Sequence, residues 1–418
     1  MAQPSLLGIR NFRLLLIGQT TSQLGAQVSG VAIPLLAVLT LEASAFEVGL
    51  VAASSTLAFA LIGLPAGAWL DRVHRRPVLI ASDWIRAILM LSIPAAAVLG
   101  VLSIFQLVIV SLLSGFARVF FDVGYQSYIP SVIGKNRVLA GNSAMETIRA
   151  SGQVVGPGLG GWLVGLIGAA AVLLVQAFTF VVSAVSLMAI RSPEPEIERS
   201  PERPNLWRQI RDGLFFVLNN RILRSVAIAS AAGNFAFALA SAVTFIFMSR
   251  ELGLTPAAIG IMIALGSLAA LGGAALTPLL SRIFGSARII WLSLVATGPF
   301  ALLTPLAQPG WWVLLLLAGL AVGELGQIVY AVSNVSLRQQ LCPDHLLGRV
   351  NATMRFLIMG AFPLGALLGG LLGDAAGTRA ALFAAGFIIA GSGLPLFFSL
   401  RGVREVAELS SWDPAPRQ

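Results

Sequence analysis

A few ionisable side chains stand where an otherwise apolar sequence has no ordinary use for them. Glu324 lies in AGLAVGELGQIVY with no basic residue within a helical turn, and it shares a helical face with Gln327 and Asn334. A charge near the centre of a bilayer costs about 2.5–3.5 kcal/mol even on a lenient insertion scale, so an acid in such a run has to do something, and carrying a proton is the obvious task. Arg118 and Asp122 are four residues apart with Ser114 and Tyr125 on the same face, a spacing that lets them pair or meet a charged substrate. Glu146 with Arg149, and Asp83 with Arg86, are three apart and read as pairs that neutralise locally. Gln19, Gln23 and Gln27 form an i, i+4, i+8 polar stripe, and Ser230 with Asn234 forms a shorter one. Such stripes line a polar path or join helices by hydrogen bonds.

Other chemistries have little to work with. The single cysteine, Cys342, and two isolated histidines, His74 and His345, exclude a disulfide framework and a Cys- or His-based metal cluster. The only lysine is Lys135, outside any phosphate-cradling glycine loop, so no fused ATPase is expected. The reading is of a protein that is not an enzyme and needs no cofactor.

The elements that position these groups follow from composition. Of 418 residues, 57% are hydrophobic and 11% charged, against about 45–50% and about 25% in globular proteins. Lipid is the solvent that suits such a chain. A hydrocarbon core about 30 Å thick needs about 20 apolar residues per helix, and a dozen such runs are present, from Leu14–Leu39 to Ala380–Leu400. By helical rise, Arg118 lies roughly 20 Å into the fourth run and Glu324 roughly 20 Å into the tenth. The net charge of +9 is topology and not a nucleic-acid footprint: 21 of the 27 Lys and Arg residues fall on one side, and only Arg250 and Arg379 on the other. The positive-inside rule then places both termini in the cytoplasm. Expected are an all-α membrane protein of twelve transmembrane helices in two pseudo-symmetric six-helix bundles, residues 1–190 and 223–402. A cytoplasmic linker, 191–222, would join them, and a cytoplasmic tail, 403–418, would follow. The linker carries Pro193, Pro195, Pro201 and Pro204 and then an amphipathic helix, Leu206–Leu218, with Trp207, Ile210, Leu214 and Val217 on one face, suited to the membrane surface. Internal similarity points to duplication: LDRVHRRPVLIAS near Asp71 matches LSRIFGSARIIWLS near Arg282, and YIPSVIGKNRVLAGNSA matches LCPDHLLGRVNA. Repeats of this kind build secondary transporters.

Two motifs carry a family resemblance. Gly67-AWL-Asp71-Arg72-VH-Arg75-Arg76, between the second and third runs, resembles motif A of the major facilitator superfamily, with His74 where that pattern has glycine. Gly152-QVV-Gly156-Pro157-GL-Gly160-Gly161 resembles motif C, the signature of its proton-coupled exporters. NSAMETIRASGQVVGPGLGG and SLRQQLCPDHLLGRVNA resemble the twelve-span branch with macrolide-efflux proteins and enterobactin exporters. The resemblance implies a cytoplasmic gate in which Asp71 meets a helix N-terminus and Arg75 bridges to Asp122. It also implies a central cavity lined by the first, fourth, seventh and tenth spans. The motif B arginine of drug exporters is absent, since Ser111 stands four residues before Gly115. The expected function is a secondary exporter in a bacterial-type inner membrane that moves an amphipathic small molecule outward against protons and acts as a monomer. A lysophospholipid or nutrient transporter of the same fold is the alternative, ahead of a transport-incompetent receptor or a membrane-embedded enzyme. No nucleic acid, metal or cofactor is expected.

Overall fold

The computed structural model describes residues 6–70, 72–134, 137–191 and 206–409. Asp71, Lys135, the proline-rich part of the linker and the tail beyond 409 lie outside these. Among the described residues every regular element is helical.

Six long helices come first: α1 (Arg10–Leu35), α2 (Ala45–Leu70), α3 (Arg75–Val98), α4 (Ile104–Ile133), α5 (Val138–Ile167) and α6 (Ala169–Ala189). A short helix, α7 (Leu206–Asn219), leads into α8 (Arg221–Ile246), α9 (Pro256–Phe284), α10 (Arg288–Thr297), α11 (Val313–Leu341), α12 (Asp344–Ala376), α13 (Thr378–Ser392) and α14 (Leu394–Leu400). Eleven segments are long and apolar enough to cross a membrane. The 30-residue α5, which carries Glu146 and Arg149, is not among them, so the described residues give eleven such segments where the sequence led to an expectation of twelve. The chain divides into two compact units, Met1–Ser200 with Gly253–Ala264, and Pro201–Leu252 with Leu265–Gln418.

The duplication is legible in backbone detail. Both α1 and α8 run for 26 residues and end in a five-residue π-helical turn, Leu36–Thr40 and Phe247–Glu251. The next helix is then capped by a hydroxyl at matching places: Ser44 Oγ accepts from the Glu47 amide and Thr255 Oγ1 from the Ala258 amide, each at 3.3 Å. Later in each half a glycine with φ of 83° (Gly168) or 89° (Gly377) joins two spans, a backbone state that any side chain would strain.

Helices pack in lipid through small residues, because lipid tails are as apolar as leucine and leave no hydrophobic drive between helices. A Cβ on Gly160 would sit 2.9 Å from the Val28 carbonyl oxygen, and one on Gly369 would sit 2.3 Å from that of Leu239. Thus α5 lies against α1, and α12 against α8, with backbones in near contact. Gly156 and Gly365, one turn earlier, meet Gln27 and Phe235 in the same way.

Two expected spans are less regular than their hydropathy suggests. The ninth, Ile289–Leu306, is α-helical only in α10 and continues as a 3₁₀ helix over Gly298–Leu306. Pro299 and Pro305 lack the amide that a continuous α-helix would use there. The twelfth, Ala380–Leu400, breaks at Gly393 ahead of Pro395 into α13 and α14. The amphipathic α7 docks on its own bundle: Gly213 abuts Thr353 and the Arg349 carbonyl of α12, while Phe216 and Val217 enter the hydrophobic core. Phe215 and Leu218 remain exposed, so its apolar stripe is shared between bundle and surroundings.

The segment after α14 returns to the α9–α10 turn. The Ala287 amide donates to the Arg404 carbonyl at 3.0 Å, and Ser286 donates to Glu405 Oε2 through its hydroxyl at 2.6 Å and its amide at 3.1 Å. These bonds favour the carboxylate and hold Glu405 below the ordinary range. A depressed carboxyl adds stability above its unfolded pKa and loses it as pH falls through the folded value. Amide exchange at Ala287 should therefore stay slow at neutral pH and quicken only on acidification below the ordinary carboxylate range, whereas Glu405→Gln should exchange fast at every pH. Unchanged protection in that variant would show that the clasp does not depend on the charge.

Candidate functional site

Each unit carries its own set of polar groups at membrane depth. In the first, Asp83 and Arg86 of α3 form the local pair expected from their spacing, and both are buried. The Arg86 guanidinium lies between the rings of Phe121 (4.3 Å) and Phe180 (4.4 Å), so aromatic faces take the place of water around a charge that would otherwise be costly to bury. This joins α3, α4 and α6 at one point. Glu146 and Arg149 also pair locally, Arg149 Nε donating to Oε1 at 3.0 Å and to Oε2 at 2.9 Å.

On α4, Arg118 Nε faces Asp122 Oδ2 at 3.4 Å, with the two side chains 70% and 39% exposed. Asp122 thus has its i, i+4 neighbour Arg118 as a partner on its own helix. Its exposure keeps the Arg118 guanidinium open to a ligand or solvent. Arg76 donates to the Leu187 carbonyl at 2.9 Å and the Met188 carbonyl at 2.6 Å, closing the C-terminal end of α6 where helix carbonyls lack partners and basic groups are favoured. Arg72 is exposed, and Gly67 lies beside Val123 of α4.

Motif C is a packing surface. Gly152, Gly156 and Gly160 turn toward Gln23, Gln27 and Val28 of α1, while a Cβ on Gly161 would meet the Pro256 carbonyl at 2.2 Å. The Pro157 carbonyl lies against Gly260, where a Cβ would approach it to 2.4 Å. Of the three glutamines expected on a polar path, Gln27 therefore lends its aliphatic part and Gln23 its backbone to this contact, and Gln19 is buried. One polar residue without a sequence signal appears here: Gln176 of α6, fully buried, accepts from Ser29 of α1 at 2.9 Å.

In the second unit Glu324 is half-buried on α11 and has neither an ion-pair nor a hydrogen-bond partner among the described residues. Gln327 is exposed one turn along, and Asn334 is buried with its carbonyl oxygen unbonded. Ser230 and Tyr330 share a 2.6 Å hydrogen bond that joins α8 to α11, and Asn234 donates to the Ile358 carbonyl of α12 at 2.6 Å. Asn234 is thereby a joint between helices, leaving Glu324, Gln327 and Asn334 as a polar stripe with unfilled hydrogen-bonding capacity. At the far end of the bundle, Arg379 donates to Glu251 at 2.9 Å and to the Pro305 carbonyl at 2.6 Å, under the Phe247 ring. Cys342 caps α11; it is 5% exposed, and burial pushes its thiol up to about 11. No group of three or more His, Cys, Asp or Glu residues suited to a metal occurs among the described residues.

A stripe with one unpaired acid on an all-helical, duplicated membrane scaffold is the architecture of a transporter, and the comparisons agree. The model of the transmembrane secretion effector family matches residues 4–417. The chain belongs to that family, within the major facilitator superfamily. The multidrug efflux pump Tap of Mycolicibacterium fortuitum is 30% identical over 386 residues, covering 89% of this chain and 91% of that protein. A bacterial homologue of the iron transporter ferroportin in an inward-facing state superposes with a TM-score of 0.75 at 18% identity, over 94% of this chain and 99% of that one. A bacterial homologue of the lysosomal transporter Spinster gives 0.76 at 15%, over 97% and 99%. This secretion-effector relative is a multi-pass protein of the inner membrane, and the two structural likenesses speak for its fold.

Since Gly156 has no room for a side chain, Gly156→Val should force α5 from α1. Overpacking of this sort costs about 1–3 kcal/mol, and thermal unfolding of the purified protein should register it. Val at Gly165, where a Cβ meets nothing within 4 Å, should leave the midpoint nearly unchanged. Equal effects at the two positions would remove motif C from the packing.

Proposed function

We propose that the protein is a secondary active exporter that moves an amphipathic small molecule outward in exchange for protons by alternating access. The observation that carries this reading is Glu324, a half-buried acid on a membrane-spanning helix with no basic partner, in a chain whose relatives include a multidrug efflux pump. A charged carboxyl at that depth is costly unless water, a cation or a cationic substrate reaches it. Uptake of a proton on one side and release on the other would couple its charge to the state of the cavity. Gln327 and Asn334 would hydrogen-bond substrate, and Tyr330, held by Ser230, would offer an aromatic wall. In the other unit the exposed Arg118, balanced by Asp122, would respond to a charged substrate, and Gln19, Gln23 and Gln27 would offer it hydrogen-bonding groups. Asp71, with Arg72, Arg75 and Arg76 nearby, would form the cytoplasmic gate, and a single chain would suffice for transport.

In inverted vesicles holding purified protein, an exported cationic or amphipathic dye should dissipate an imposed pH gradient. Glu324→Gln should abolish that coupled flux and leave dye binding and the folded fraction intact, and normal coupled transport in the variant would remove Glu324 from the mechanism. Asp71→Asn should slow turnover without weakening dye binding; an unchanged rate would dismiss the gate.

A further inference from the structure

Beyond the residues assigned to export, the second unit holds a basic cavity that this reading leaves unused. Its volume is about 350 Å³, and it opens between the last turns of α11 and the first turns of α12. That size lies at the lower end of small-ligand sites. Arg338 and Gln339 line it from α11, and Asn351 and Arg355 line it from α12, with Ile358 and Met359 as an apolar floor. The α12 residues recur at i, i+4, i+7 and i+8, so one helical face supplies amide, guanidinium and apolar surface in sequence. No acidic side chain is in the lining.

Arg338 is the telling member. Its Nε is buried without a hydrogen-bond partner, and among the described residues no carboxylate pairs with it. Other arginines that follow α8, such as Arg282 and Arg401, are exposed and simply reach solvent. An anchoring arginine needs no cavity, and a buried N–H without an acceptor is a rarity that asks for a partner. Guanidinium groups present a planar fork of donors that matches the oxygens of a phosphate or carboxylate. The Arg338 fork, with the amides of Gln339 and Asn351 beside it and the positive charge of Arg355 on α12, makes a setting for an oxyanion, and the apolar floor suits the carbon body that bears it.

The geometry points to an oxyanion-binding subsite formed by Arg338, Gln339, Asn351 and Arg355, which takes the phosphate or carboxylate group of an amphipathic molecule. The site stands apart from Glu324, about 20 Å along the same helix from Arg338, and its existence does not depend on proton-coupled export.

Full-length protein in nanodiscs of phosphatidylcholine would be titrated with phenyl phosphate and, separately, with a short-chain phosphatidylglycerol, following the thermal midpoint. The wild type should be stabilised by at least one probe. Arg338→Gln with Arg355→Gln should weaken that probe about tenfold or more, Arg338→Lys should lie between, and exposed Arg282→Gln should bind as the wild type does. Response to phenyl phosphate identifies a soluble anion as ligand, response to phosphatidylglycerol alone a lipid headgroup, and either supports the site. Should Arg338→Gln fail to fold, the exposed Arg355→Gln carries the test by itself. No stabilisation by either probe, undiminished binding in the folded variants, or an equal loss in Arg282→Gln would overturn it.

Discussion

Everything in this architecture depends on how closely two helices can approach when there is no water to drive them together. In lipid the gain comes from backbone contact and dispersion, and it vanishes quickly with distance. Glycine is the residue that permits that distance, and the chain places it in both halves at equivalent positions. Gly156, Gly160 and Gly168 are each followed 209 residues later by Gly365, Gly369 and Gly377. The partner helices keep a nearby spacing of 211 residues, from Val28 to Leu239 and from Ser44 to Thr255. One contact, first helix of a half against fifth, is thus built twice from the same plan.

Polar groups are then arranged around that contact according to what they can find. Asp83 and Arg86 find each other and two phenyl rings; Gln176 finds Ser29; Ser230 finds Tyr330. These joints restrain helices without opening a path for water. Glu324 and the Arg338 guanidinium are the exceptions, a negative and a positive group on one helix that find no counter-charge among the described residues. A transporter has reason to keep such groups open, since a partner supplied by the protein would compete with one supplied by the cargo.

Much of this was readable in the residues. Hydropathy located the spans, and glycine spacing located the motif C surface, because both depend on local composition. The repeated segments foretold the duplication. What escaped was set by tertiary partners or by backbone chemistry spread over a few positions. Asp122 pairs with Arg118 of its own helix, a choice among basic neighbours that spacing alone does not decide. The 3₁₀ stretch at Gly298–Leu306 lies in a run as apolar as any other, and only Pro299 and Pro305 mark it. The basic cavity needs Arg338 and Arg355 from two helices whose connection reverses direction, so no linear pattern brings them together. Asn234 was placed on a polar path, yet its amide serves the α12 backbone, a role that depends on a neighbouring carbonyl being exposed.

Cys342 has a practical consequence. Burial covers this thiol and pushes it up to about 11, which disfavours the thiolate, the species that reacts. As the sole cysteine of the chain, it leaves the molecule slow to react with maleimides and methanethiosulfonates. Spin labels or fluorophores introduced in pairs would then report on opening and closing from the native background, with no residue removed to make them visible.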